Sequence, residues 1–183
     1  MSLQSQISIS VDKKQIRYIA GNLSLTYDQV KQMIEDVLNI TLQLTITDLE
    51  AWIGSVYGSE GHVPKRTGTL RKTLLDWLHG SNVYQGIMRL ILRTDLPYAQ
   101  DVNAMTASNV RHTGEQGYVY YPNQMGMRGP VWLDDPRAEG NFFDKLVAFA
   151  KERIKVNIVK AKNQILGMQG QVARTLRREI KYG

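Results

Sequence analysis

Apolar positions along this chain recur first at every second residue and then at every third or fourth. Residues 6–11 (Gln-Ile-Ser-Ile-Ser-Val) alternate, which is the period of a half-buried strand. Asp12-Lys13-Lys14 reads as a turn and residues 15–20 are ambiguous, so this N-terminal part has the character of an arm able to pair with something else. A helical period then sets in. Ser24 is placed to cap it, and Val30, Met33, Ile34, Val37 and Leu38 form one apolar stripe, continued by Leu49, Trp52, Ile53, Val56 and Tyr57. Between the two groups, residues 39–47 alternate strictly and are rich in β-branched side chains, which favours a strand. No Gly or Pro interrupts residues 25–53, so one continuous helix is expected, ended by Gly58-Ser59-Glu60-Gly61.

Residues 86–94 (Gly-Ile-Met-Arg-Leu-Ile-Leu-Arg-Thr) predict a strand with Met88 and Leu90 on one face, Ile87 and Arg89 on the other. Asp95-Leu96-Pro97 ends it, residues 98–102 suit a short helical turn, and residues 103–117 read as a surface loop. Strand-like runs follow at 118–121 and 131–133, separated by a loop at 123–130. From Asn141 the helical period returns through Phe142, Leu146, Phe149, Ala150, Ile154, Ile158 and Ile165, with Asp135 or Asn141 as its cap. Gly167 and Gly170 loosen its end, before a short basic amphipathic helix. The order predicts an α+β fold, a small antiparallel sheet packed by a long N-terminal and a long C-terminal helix. It divides into an N-terminal arm (1–21), a core domain (22–167) and a basic tail (168–183).

The architecture changes at residues 62–75. Pro64 disfavours helix at Val63, Gly68 permits a backbone angle most residues resist, and Thr67 can cap the apolar run that follows. Leu70 and Leu74 are expected in the core, with Arg66 and Arg71 free to reach a neighbouring subunit.

Composition narrows the chemistry. The 183 residues fit one domain with extensions, and 43% hydrophobic with 22% charged residues argues against wholesale disorder. Cysteine is absent, which excludes disulfides and thiol chemistry. No apolar run is long enough to span a bilayer and the start does not read as a secretory signal, so synthesis in a cytoplasm is expected. The net charge of +6 is uneven: from Lys151 onward nine Lys/Arg face only Glu152 and Glu179, a local +7. Such an end suits an acidic partner, nucleic acid included, or is simply a solvated helix face.

Nothing in the sequence names a reaction. There is no Gly-x-Ser-x-Gly, His62, His79 and His112 lack metal-ligand spacing, and His62 and His112 are expected exposed in loops. Asp134-Asp135 reads as a helix-start cluster rather than an acid–base pair. Tyr118, Tyr120 and Tyr121 lack the flanking cations of a nucleic-acid stacking platform, so packing is the stronger reading. No enzyme activity, cofactor or metal is expected.

Pro64-x-Arg66-Thr67-Gly68-x-Leu70-Arg71 resembles the signature of the tail-completion, or head–tail neck, proteins of tailed phages. In that family the motif follows a long helix, a strand leads to a Tyr-Ala pair (here Tyr98-Ala99), and a Pro-containing approach (here Asp135-Pro136) precedes a C-terminal helix. The match in order covers residues 25–167. This chain departs where Thr113-Gly114 comes late, as if residues 103–111 were inserted. The resemblance implies a structural virion protein made in the host cytoplasm. It would form a homo-oligomeric ring at the head–tail junction, between the portal-side connector and the tail tube. Pro64, Arg66, Thr67, Gly68, Leu70, Arg71, Tyr98 and Ala99 would be its motif and subunit-interface residues. The alternative is a nucleic-acid-binding module using Arg174, Arg177, Arg178 and Lys181, and a ring around a DNA channel would itself make transient DNA contacts.

Overall fold

A computed structural model describes residues 2–23, 25–57, 61–63, 68–103, 110–112, 118–120, 131–133 and 141–180. Of residues 23, 101, 110–112, 118–120, 131–133, 166 and 168–180 it gives the backbone alone. The elements run β1 (Leu3–Ser10), α1 (Lys13–Leu23), α2 (Tyr27–Ile53), α3 (Thr69–His79), β2 (Asn82–Tyr84), β3 (Ile87–Thr94), α4 (Ala99–Asn103), β4 (Val110–His112), β5 (Tyr118–Tyr120), β6 (Val131–Leu133) and α5 (Phe142–Ile180). The fold is α+β, with small antiparallel sheets and a long helix towards each end of the chain.

One sheet has the order β1–β3–β2 and the other β4–β5–β6. The N-terminal strand therefore takes an edge of its own chain's sheet, where the sequence suggested an arm for something else. Its residues alternate half-buried and exposed along their whole length. β2 pairs antiparallel with β3, Tyr84 opposite Ile87, across a two-residue turn. Gln85 and Gly86 both have positive φ, 50° and 73°, as a type I′ hairpin requires. Met88, Leu90, Leu92 and Thr94 form the buried face of β3, in the expected alternation. β4 falls inside the segment read as a loop, and pairs with β5 in the register Arg111 opposite Val119.

Residues 39–47 are helical, as expected, in spite of their alternation. Thr41 and Thr45, both fully buried, each donate Oγ1 to the carbonyl four residues back, at 2.7 Å. That local bond satisfies the hydroxyls inside the helix. α2 is capped by a reciprocal pair: Gln29 N–H donates to Thr26 Oγ1 at 3.2 Å, and Thr26 N–H to Gln29 Oε1 at 2.9 Å. The cap is thus Thr26, and Ser24 lies outside the described residues. Asp12 and Gln15 make a related arrangement before α1, which turns an ambiguous stretch into a helix of three turns. α2 ends at Ile53, short of the Tyr57 that its stripe reached. Gly54 adopts a left-handed φ of 91° there, and its N–H closes on Glu50 O at 2.9 Å. α5 is continuous to Ile180, through Gly167 and Gly170, where two helices were expected.

The chain divides into two compact units. The first comprises Met1–Ile7, Ile46–Ser81 and Leu90–Glu152; its core includes Leu49, Ile53, Leu70, Leu74, Leu78, Phe142 and Leu146. The second comprises Ser8–Thr45, Asn82–Arg89 and Arg153–Gly183. Its core includes Ile16, Ala20, Val30, Leu38, Leu42 and Ile154. Within it Asn157, fully buried on α5, donates Nδ2 to Thr45 Oγ1 at 3.2 Å.

Candidate functional site: the motif loop and its fastening

Residues 54–57 leave the end of α2 in a short loop, and the motif residues close on it. Gly68 takes a left-handed φ of 79° just before α3, with no side-chain cap hydrogen bond. The sequence offered Thr67 as the cap, but the capping position is Gly68, whose carbonyl accepts Lys72 N–H at 2.9 Å. A Cβ on Gly68 would lie 2.5 Å from Val56 O, so glycine is needed both for its angle and for the close approach. Gly61, at φ 143°, is pressed in the same way against Ile53 O, 2.4 Å from its would-be Cβ.

Arg71 is fully buried in the first turn of α3. Its Nε donates to Val63 O at 2.7 Å and its Nη1 to Ser55 O at 3.0 Å. Two stretches of non-helical backbone are thereby given donors that α2 and α3 cannot supply. Burial pushes the guanidinium pKa down to about 10, so it remains charged at neutral pH. Arg71 was expected to be free for a neighbouring subunit, and the structure corrects that. The planar fork is committed to its own chain because loop carbonyls beside an apolar core need partners more than the surface needs another cation.

The same holds for part of the motif. Gly68 and Leu70 are buried, Ala99 is fully buried at the start of α4, and Tyr98 is half-buried. Gly68, Leu70, Arg71 and Ala99 therefore act inside the fold. Pro64, Arg66 and Thr67 lie outside the described residues, as do Lys181, Asp134 and Asp135. Arg174, Arg177 and Arg178 fall on the last turns of α5.

Around the loop, aromatic and charged side chains make a second layer. His62 stacks on Trp52 with ring centroids 4.9 Å apart, and Trp52 stacks on Phe149 at 6.0 Å. His62 is thus half-buried, where the sequence suggested an exposed loop residue; its N–H also donates to Trp52 O at 2.9 Å. His79 meets Glu50 at 2.6 Å. Arg93 lies 4.4 Å from the Trp77 ring centre and pairs with Asp95. A hydrogen bond from Lys72 to Asp76 raises the lysine pKa. Among the described residues no group of three His, Asp or Glu could hold a metal ion, and no helix is long and apolar enough to cross a membrane. Arg71 and Trp52 escaped sequence reasoning as a pair of locks; the readable signal was Gly54 and Gly61, which bracket a tight loop.

The outward element of this arrangement is Tyr57, 92% exposed at the end of the fastened loop. Compared with known proteins, the chain matches no family model, no curated protein and no solved structure.

Proposed function

We propose that this chain is a structural virion protein of a tailed phage, forming an oligomeric ring at the head–tail junction as a neck, tail-completion or tail-terminator subunit. The observation that carries this reading is the order in which the resembling residues fall on the elements. A long helix comes first, then Gly68-x-Leu70-Arg71 at the start of the next helix, a hairpin, Tyr98-Ala99 at the start of a short helix, and a long C-terminal helix. The partners are further copies of the chain, the portal-side connector and the tail tube. The protein works by holding neighbours in register, so no catalysed step and no cofactor belongs to the reading.

Labelling the protein in purified particles and imaging them by electron microscopy tests it. A ring of density at the head–tail junction is expected, and absence of the protein from particles would end this reading.

The basic end supports a second reading, a nucleic-acid contact through Arg174, Arg177, Arg178 and Lys181. Its affinity for DNA should fall steeply with salt, because Lys and Arg displace counterions from phosphates. Affinity unchanged by deleting residues 171–183 would dispose of it.

A further inference from the structure

Burying a guanidinium beside a loop and pressing two glycines against backbone carbonyls are strong measures for so short a connection. They fix Gly54, Ser55 and Val56. Arg71 holds Ser55 O, Gly68 packs on Val56 O, and Gly54 closes the helix end. Tyr57 N–H donates to Ser55 Oγ at 3.2 Å, yet its side chain stands almost wholly in solvent. A rigid backbone presenting an exposed aromatic loses little entropy on docking, and tyrosine is among the residues that dominate interface energies.

Charge points to what it docks on. The first compact unit, which carries Tyr57, holds ten Lys/Arg and twelve Asp/Glu, a formal −2. The second holds thirteen Lys/Arg and five Asp/Glu, a formal +8. Two copies of the chain therefore bring together units of opposite formal charge. On the second unit, α1 buries Ile16 and Ala20 and exposes Lys13, Lys14, Arg17 and Tyr18, the last at 73%. Exposed cations next to an aromatic suit the face of an incoming tyrosine ring.

We propose that Tyr57 is the anchor by which the first unit of one copy docks on the basic α1 surface of a second copy. The contact is head-to-tail, joining different patches on the two copies, and such a contact propagates or closes into a ring. Opposite charge steers the encounter and the tyrosine holds it. This rests on the assembly reading above and assigns its subunit contact.

Native mass spectrometry and light scattering of the full chain, across concentration and at low and high salt, test the proposal. The wild-type chain is expected to self-associate, more tightly at low salt. Tyr57→Ala should raise the dissociation constant at least about tenfold, in line with loss of an interface anchor. Its melting temperature should match wild type, because the side chain is exposed. Tyr57→Phe should keep most of the affinity. Reversing α1 with Lys13→Glu, Lys14→Glu and Arg17→Glu together should weaken association comparably. Self-association unaffected by Tyr57→Ala, a wild-type chain monomeric at every concentration, or Tyr57 needed only for capturing a different protein would each overturn it. These outcomes are read in solution, whereas the junction reading stands or falls on the protein's place in particles.

Discussion

Arg71 and Val63 are eight residues apart, and the Nε of one donates to the carbonyl of the other at 2.7 Å inside a fully buried site. With the second bond to Ser55 O, this makes a charged side chain part of the core's hydrogen-bond inventory. Arg71→Ala removes both donors and leaves a void, so about 3 kcal/mol of stability should be lost. Arg71→Lys should recover only part, since an ammonium lacks the fork geometry. Chemical denaturation midpoints at constant m-value measure both.

The pH dependence of that loss has a definite sign. The folded-state pKa lies below the ordinary value, so the folded chain binds the proton less tightly than the unfolded chain. Below about pH 10 the group is charged in both states and contributes no slope. From there up to its ordinary range its desolvation cost is relieved, and stability from this group rises with pH. The wild-type minus Arg71→Ala difference should therefore be flat from about pH 5 to 9. A sloping difference in that range would contradict the assignment.

Gly68 and Gly21 make an opposed pair. At Gly68 a Cβ meets Val56 O at 2.5 Å with φ 79°, so Gly68→Ala should cost about 2 kcal/mol or more, and Gly68→Val should impair folding. At Gly21, within α1, a Cβ meets nothing within 4 Å, and Gly21→Ala should stabilise by about 0.5–1 kcal/mol. Thermal melts of the two variants should move in opposite directions.

Asn141, one of the two caps the sequence offered, holds the capping position of α5, where its carbonyl accepts Lys145 N–H at 3.1 Å. Asn103 Oδ1 adds a side-chain cap from forty residues away by accepting Phe143 N–H at 2.8 Å. Asn103→Ala should cost about 1 kcal/mol. Hydrogen exchange should show the loss first in the opening turn of α5 and leave α2 protected.

The sequence was most readable where local chemistry and tertiary packing agree. The alternation of residues 87–94 and the uninterrupted run over 25–53 both predicted their elements. α1 was written in Asp12 and Gln15, whose spacing marks a helix start, but its three turns are mostly polar and the apolar stripe is thin. The helical state of residues 39–47 depends on Thr41 and Thr45 turning their hydroxyls onto the backbone, a choice that alternation alone cannot reveal.

The candidate site was legible as a motif but not as a role. Charge suggested that Arg71 should face outward. What decides otherwise is where Ser55 O and Val63 O fall in space, and that follows only once α2 and α3 are brought together. Tyr57 misled in the opposite way: its spacing placed it on the apolar stripe of α2, and Gly54 ends the helix before that stripe reaches it.

The Asn103 cap has a consequence for how the chain tolerates change. Asn141 N–H also donates to Asn103 O at 2.7 Å, so the residues flanking 104–140 stand side by side. The strands β4, β5 and β6 lie along the chain between these two residues. Loop-closure entropy rises only slowly with length, so changing the number of residues between Asn103 and Asn141 should cost the junction of α4 and α5 little.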